Sequence, residues 1–585
     1  MEEKKLDLNS IIGFVLIFGI LIWMMYNNQP TPEELEAQEK AKQEQVEAEK
    51  KVEQAKDVIT TTAEDFSATA QMDSVQRASL KNRLGAFGYS STLPSSSANE
   101  TLVETDVFQL KFNNKGGYLS EVRLKNYVTY DSVPLYLIKD NNAVFNISFG
   151  TTDNRTFNTK DLYFEPSVSK SGENTVVSMK LKTSETNYLE YRYEFKPDDY
   201  MVDFAVRSQG LSNVINSSQQ INLDWDLKAY RHAKSIQYEN RYTDLHYEYE
   251  DGKDDYLGQM DDDEVVEQVS WLGYKQHFFT AILLSDTPFK SASLSSRNLV
   301  EDEEIDTVYT KQFNSKIALE LQAGEFNQNM NWYFGPNQLN RLESYGRNLD
   351  EIVPLGWGIF GVINRYILTP LFGFLSSFLP YGIAIIVMTI LVRLVLSPVT
   401  YKSYLSQAKM KVIKPETAEI AEKFKDNPMK KQQETMALYS KAGVSPMAGC
   451  IPALMQLPVF YALFMFFPSA FDLRQKSFLW AEDLSSFDTI YQFPKGFSIP
   501  FYGDHVSLFP ILASVAIFFY MRMTTGQQAA AQPTQEGMPD MQKMMKYMIY
   551  FSPLMMLVFF NNYASGLSLY YFVSCLLYTS PSPRD

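Results

Sequence analysis

Arg393 is the side chain in this sequence with the most to explain. It stands in the apolar run 381–397 (YGIAIIVMTILVRLVLS). At about 1.5 Å per residue, that run nearly crosses a bilayer. An Arg at the centre of a membrane helix costs about 2.5–3.5 kcal/mol on insertion scales, and the run offers no Asp or Glu to neutralise it. Such a side chain must face a protein interior or a water-filled cavity, which makes it a functional candidate. The competing reading is snorkelling. Ser397-Pro398 follow four residues on, so the guanidinium also has a short route to the nearer interface. Thr389 lies one turn before Arg393 on the same helical face.

The other reactive residues point away from covalent chemistry. Cys450 and Cys575 are too few for a disulfide framework and lack metal spacing. None of the four histidines, His232, His246, His277 and His505, lies in an apolar run or pairs with another at ligand spacing. That weakens an intramembrane serine protease and a zinc hydrolase. No GxxxxGK[ST] loop signals an ATP-driven pump. A formal charge of −16 excludes a bulk nucleic-acid binder. No cofactor, metal or catalytic set is expected.

The elements that must position Arg393 follow from where apolar residues fall. The 585 residues suggest several domains. Apolar runs gather at the N-terminus and after residue 355, so a large water-soluble part joins a membrane part. The run 11–26 follows Lys4 and Lys5 and ends in Trp23, Met24, Met25 and Tyr26 without an A-x-A site, which reads as an uncleaved anchor with a cytoplasmic N-terminus. Residues 30–100, rich in Glu, Gln, Ala and Lys and then in Ser and Thr, read as a solvated helix or disordered spacer.

From about Thr101 the pattern alternates. Phe108, Leu110 and Phe112 precede a turn at 113–117; Leu189, Tyr191, Tyr193 and Phe195 precede Pro197-Asp198-Asp199; Val202, Phe204 and Val206 follow. Repeated short strands with turn signals predict an antiparallel β-sandwich whose many aromatics are core and cross-strand pairs. No His–Asp set stands out there. Residues 355–379 are apolar but interrupted by Asn364, Arg365, Thr369-Pro370 and Ser376-Ser377, which suits an amphipathic helix in the interface.

Residues 401–441 read as a helical hairpin. Met410, Ile413, Ile420 and Phe424 form one stripe and Met429, Met436 and Tyr439 another, with Asp426-Asn427-Pro428 as cap and N1 proline between them. Nine lysines face five acidic residues, so the loop is expected to be cytoplasmic. Further apolar runs are 451–471, 507–521 and 547–560, with an acidic, external loop after the first. A Met-rich segment from Met521 to Met545 reads as a plastic apolar contact or as ordinary packing. The run from Gly566 is short for a span and stops in CLLYTSPSPRD, which looks like translated adapter sequence, so 575–585 are expected to be non-native.

These residues resemble the YidC-type membrane protein insertases of the YidC/Oxa/Alb superfamily. The most specific stretches are Thr389 to Arg393 with Pro398, Lys409-Met410 with Pro415, Gln433-Glu434 with Leu438-Tyr439, Gly443 to Pro446, Gly449-Cys450-Ile451-Pro452, Gln456-Leu457-Pro458-Val459-Phe460, and Ser565-Gly566-Leu567 with Leu569-Tyr570-Tyr571. Looser ones are Asn114 to Gly117, Trp271 to Gln276 with Phe278-Phe279, and Tyr333 to Pro336. The resemblance implies an N-terminal membrane anchor (1–29), a linker (30–100), a periplasmic antiparallel β-supersandwich (101–345), an interfacial amphipathic helix (346–380) and a five-span α-helical membrane bundle (381–574) with a cytoplasmic hairpin (401–441) and a truncated last span. Residues from about 27 to 350 would be periplasmic, in the cell inner membrane.

The function so implied is insertion and folding of newly made membrane proteins, alone or beside the Sec translocon and its SecDF accessory. It would work through a hydrophilic groove built by Arg393, Thr389, Gln456, Leu457, Phe460 and Tyr571. Gln456, Pro452 and Pro458 are equally open to a structural role. The hairpin, with Lys409, Met410, Lys430, Lys431, Glu434 and Tyr439, would receive the nascent chain. Ribosomes are a further family partner, though the basic C-terminal tail that helps contact them is absent from this sequence. No bond is made or broken, so no enzyme is expected. A secondary transporter would also explain a membrane Arg, but it usually shows repeats and paired intramembrane charges. A membrane-anchored carbohydrate-binding protein would explain the sandwich alone.

Overall fold

The computed structural model describes residues 82–579 apart from 98–99, 251, 259, 426, 445–450, 495 and 530–540. The expected anchor, the linker up to residue 81, the motif residues 445–450, Met538 and the tail from 580 lie outside the described residues. Almost all the described residues belong to one compact unit, Ala68–Pro533 with Met545–Asp585.

Strand alternation builds the β domain. In Tyr188–Phe195 every second side chain is buried, beginning with Leu189 and ending with Phe195. Phe108, Leu110 and Phe112 are buried likewise, as are Val202, Phe204 and Val206. Two antiparallel sheets form: a four-stranded meander from Glu100–Glu104 to Pro134–Ile138, and a thirteen-stranded sheet. Rings lock them together, Phe112 lying 4.9 Å from Tyr193 and Phe108 6.3 Å from Phe195. The turn after Phe108–Asn113 needs glycine. Gly117 has φ +71°, and a Cβ there would sit 2.7 Å from the Phe164 ring.

The sandwich also holds charge that no sequence pattern announced. Asp244, His246, Lys275 and Lys311 are all buried. Lys275 Nζ donates to Asp244 Oδ2 at 3.3 Å, and Lys311 Nζ donates to the Gly258 carbonyl and lies 3.8 Å from Asp244 Oδ1. Burial pushes the Lys311 ammonium and the His246 imidazole down from their ordinary pKa values. Asp244 and His246 stand two apart on one strand, but Lys275 and Lys311 come from two others, so the cluster is a product of the sheet.

Among the described residues, eight helices of eight residues or more follow. The first, α1 (Ile359–Ser376), is apolar and contains one π-helical turn, Asn364–Leu368. The polar interruptions that suggested an amphipathic surface helix have two fates here. Asn364 is wholly buried, its Nδ2 donating to the carbonyls of Leu355 at 2.6 Å and Ala462 at 2.8 Å. Arg365 forms ion pairs with Glu343, Asp350 and Glu351 at the end of the β domain. Tyr366 and Phe374 are exposed along α1, as are Trp357 just before it and Phe378 just after it.

Helix α2 (Tyr381–Val412) is continuous through Pro398. The sequence reading closed the span at 397 and began the hairpin at 401, yet the backbone makes no break. Pro398 cannot donate to the Leu394 carbonyl, and the Ser397 hydroxyl does so instead at 2.7 Å. Next come α3 (Lys414–Lys423), α4 (Pro428–Ala442), α5 (Ile451–Ser469), α6 (Leu508–Ala529), α7 (Met541–Asn561) and α8 (Ser565–Thr579). Helix α8 thus runs on past Cys575 into the stretch expected to be non-native. Leu368, Phe372, Ile385, Met388, Phe466, Phe467, Leu567 and Tyr570 share the apolar core of this region. Only α1 and α2 are long and apolar enough by length and composition to cross a membrane among the described residues; apolar segments of 10–17 residues lie in α5 to α8.

The β domain is fastened to the loop after α5. Strands Asp262–Lys275, Phe279–Asn298 and Asn327–Pro336 run side by side, with Phe279 opposite Pro336. Their common end meets the helices. His277 Nε2 donates to the Pro468 carbonyl at 2.8 Å, and Tyr238 Oη to the Ser485 carbonyl at 3.1 Å. Phe278 and Phe279 meet the Phe471 ring edge-on, and the Arg474 guanidinium lies 4.9 Å from the Phe279 ring centre. The motifs 271–279 and 333–336 therefore build a docking seam.

Candidate functional site

Arg393 is the thirteenth residue of α2, half-buried where α2, α5 and α8 approach one another. Its Nη1 donates to Gln456 Oε1 on α5 at 3.0 Å, and its Nη2 donates to Ser574 Oγ on α8. Both of these groups are neutral. None of the helices α2, α5, α6, α7 and α8 contains an Asp or a Glu. Hydrogen bonds to neutral groups leave a guanidinium free to attract further anionic or polar company.

The polar neighbourhood is larger than these two bonds. Gln456 Nε2 and the Tyr571 hydroxyl are buried with no hydrogen-bond partner among the described residues. Tyr571 lies on α8 one turn before Ser574. Its ring stacks on Phe560 at 5.3 Å and meets Phe460 of α5 at 5.5 Å. Phe460 in turn lies beside Phe464. The arginine thus stands at one end of an aromatic wall built from α5, α7 and α8.

The residues singled out from sequence divide accordingly. Arg393, Gln456, Phe460 and Tyr571 come together. Thr389 is on the same helix face, but it is fully buried and its hydroxyl donates back to the Ile385 carbonyl at 2.7 Å. Leu457 stands on the outside of α5, 59% exposed. Ser574 was missed as a site residue; its signal was the spacing of three from Tyr571, which places both on one face of a helix.

The hairpin is a second, looser constellation. Met410 at the end of α2 and Tyr439 of α4 bury each other with Val444, and Ile413 and Ala442 pack alongside. The other stripe residues contribute little: Met429 and Met436 are exposed. Lys409, Lys430 and Glu434 are exposed and Lys431 is partly covered. Lys430 Nζ hovers 5.2 Å from the Phe424 ring centre. Asn427 caps α4, its side chain accepting from the Lys430 N–H at 3.1 Å, with Pro428 at the first helical position.

Among the described residues, no group of His, Cys, Asp and Glu assembles as a metal site. The histidines serve packing. Burial pushes His277 down to about 3 and His232 down to about 4, while burial pushes the neighbouring Glu239 carboxyl up to about 7. Glu239 accepts from the backbone N–H groups of His232 at 2.7 Å and Ala233 at 2.8 Å.

Comparison with known proteins gives one consistent family. The family model for the 60Kd inner membrane protein matches residues 373–580, and that for the YidC periplasmic domain matches residues 100–370. A protein of Parabacteroides distasonis named membrane protein insertase YidC is 40% identical over 601 residues, covering 98% of this chain and 91% of its own length. The protein of that name from Phocaeicola vulgatus is 35% identical over 587 residues, covering 98% and 90%. A solved structure described as an active YidC insertase with the first transmembrane domain resolved is 18% identical, with a TM-score of 0.30, covering 82% of this chain and 91% of that one.

Proposed function

This chain belongs to the YidC family of membrane protein insertases, with a periplasmic β-sandwich domain followed by a C-terminal helical region, and we propose that it inserts newly made membrane proteins by way of Arg393. The observation that carries this reading is the guanidinium held by neutral Gln456 and Ser574 among helices that contain no carboxylate. In this reading α2, α5, α6, α7 and α8 are five spans of the inner membrane, the hairpin is cytoplasmic, and the β domain with the loop after α5 is periplasmic.

The mechanism is one of solvation. A polar or acidic segment of an incoming chain must leave water, and an unsatisfied polar group in hydrocarbon costs several kcal/mol. Arg393 offers fixed positive charge part-way along α2. Gln456 Nε2 and the Tyr571 hydroxyl offer hydrogen bonds to a passing backbone. Together they shorten the stretch of apolar medium that the segment crosses. Apolar parts of the substrate slide along Phe460, Tyr571 and the exposed Leu457 towards lipid. Thr389, closed on its own helix, sets the backbone of α2 rather than meeting the substrate. The hairpin, with its small core and its lysines, receives the chain on the cytoplasmic side. The Sec translocon, SecDF and ribosomes are the partners that family membership suggests.

The test is insertion into proteoliposomes of one-span substrates with acidic or neutral translocated tails. Arg393→Ala is expected to impair the acidic substrate more than the neutral one, and Arg393→Lys to retain much of the activity. Equal loss for both tails, at equal protein levels, would refute the electrostatic role.

A further inference from the structure

A cleft of 400 Å³ lies apart from the arginine, where the β domain meets the helices. Its two charged lining residues are Arg341 and Asp472; Leu355, Phe372 and Phe466 supply an apolar wall, and Asn340 stands at the exposed rim. Arg341 belongs to the short helix Leu339–Ser344, with its guanidinium 4.8 Å from the Tyr200 ring centre and its Nε donating to Gln338 Oε1. Asp472 follows the end of α5 and is exposed. The cleft is therefore amphiphilic, with one fixed cation, one carboxylate and a greasy side.

Its place in the fold limits what can enter. The apolar wall includes Phe372 of α1, a helix that exposes Tyr366 and Phe374, with Trp357 exposed just before it and Phe378 just after it. Exposed Trp and Tyr on an apolar helix mark the headgroup level of a bilayer. In the orientation proposed above, on which this inference rests, a cleft against such a helix lies at the level of the lipid headgroups. A volume of this size has room for a headgroup with its glycerol.

We propose that this cleft binds a phosphatidylethanolamine headgroup, with the phosphate on Arg341, the ammonium on Asp472 and the acyl chains leaving over Leu355, Phe372 and Phe466. The charge pattern selects this lipid. Phosphatidylglycerol has no cation for Asp472. Phosphatidylcholine has one without N–H donors, whereas a primary ammonium presents three. A lipid held here ties the base of the β domain to the bilayer surface.

The experiment is native mass spectrometry of the full chain from micelles containing equal amounts of dioleoyl phosphatidylethanolamine, phosphatidylglycerol and phosphatidylcholine. One retained phosphatidylethanolamine is expected to dominate. Arg341→Gln should lower its retention by about tenfold, the scale of one charge-assisted hydrogen bond, while Arg341→Lys retains most of it and guards against misfolding. Asp472→Asn should erase the preference over phosphatidylcholine without abolishing binding. Retention blind to headgroup, or unchanged in Arg341→Gln, would overturn the site. So would a photo-crosslinker at Asn340 that in native membranes attaches to protein and never to lipid, because the occupant would then be a polypeptide.

Discussion

Trp225 in the β domain stacks on Tyr274 at 3.8 Å, and Tyr274 Oη donates to the Trp225 carbonyl at 2.6 Å. Among the described residues, Tyr439 in the hairpin packs with Met410 and Val444, and with the partly buried Ile413 and Ala442. Both aromatic side chains sit on regular amphipathic elements. The first is one member of a core that runs through both sheets of the sandwich; the second completes the whole of its local core. Burial is what converts an amphipathic pattern into stability, at about 25 cal/mol per Å². The contrast teaches that this chain invests its packing in the part that docks and leaves the part proposed to receive substrate thinly held, as low-stability binding elements generally are.

The strongest way to break the comparison is to attack the sandwich. Trp225→Ala is expected to cost about 3–5 kcal/mol, the range for emptying a large aromatic site. Asp244→Asn should cost a similar amount, about 3–5 kcal/mol, because Lys275 and Lys311 then remain buried without their shared carboxylate. Thermal unfolding of the full chain, followed through tryptophan fluorescence, measures both. Tyr439→Ala in the same assay should leave the sandwich transition where it was. A shift as large as that of Trp225→Ala would mean that hairpin and sandwich unfold together, and the contrast would fail.

A smaller effect sharpens the docking seam. His277 and His232 carry folded pKa values near 3 and 4, below the ordinary 6.5. Below pH 6.5 the unfolded chain therefore binds protons that the folded chain refuses, and stability falls as pH falls towards those values. Glu239 acts with the opposite sign. Its folded value near 7 exceeds the ordinary 4.5, so its contribution is present below pH 4.5 and is lost as pH rises through 7. Burial holds His246 down as well, so between pH 4.5 and 6.5 one carboxyl offsets one of three histidines. Glu239→Gln removes the offset and should steepen the loss of stability on acidification by one proton, about 1.4 kcal/mol per pH unit. Urea unfolding at a series of pH values reads the slope directly, and an unchanged slope would mean that Glu239 stays ionised in its pocket.

Much of this architecture was legible in the residues. Period-two alternation located Leu189 to Phe195 and Val202 to Val206 because a strand has only two faces to choose between. Arg393 was legible because a charge inside an apolar run is conspicuous. Its neighbours were harder. Gln456 and Tyr571 were named on resemblance, and Ser574 was overlooked, because nothing local says which turn of α8 faces α2. Thr389 shares a face with Arg393, but helical periodicity cannot tell a hydroxyl that bonds its own backbone from one that faces a ligand. The continuity of α2 through Pro398 escaped notice because Pro is a helix breaker by default, and its rescue by the Ser397 hydroxyl is a matter of geometry. The docking seam was invisible for a different reason. Phe279, Pro336 and Phe471 are far apart in sequence; sheet register brings the first two together, and the turn after α5 brings Phe471 against them.

The smallest expected effect tests the hairpin from its own side. Helix α4 has 15 residues, close to the length at which an isolated helix is marginal in water. Its packing rests on Tyr439 near its far end, so its first turn depends on local bonds. Asn427 supplies one by accepting from the Lys430 N–H. Asn427→Ala should cost about 1 kcal/mol, the usual worth of an N-cap. Because that helix is held separately from the sandwich, the loss should appear as amide exchange about fivefold faster across 428–442, with no change in the β domain. Asn427→Asp keeps the acceptor and adds negative charge at a helix N-terminus, so it should preserve or raise protection. Exchange that ignores both substitutions would show α4 to be held by tertiary contacts instead, and the hairpin would then belong with the sandwich on the well-packed side of the comparison.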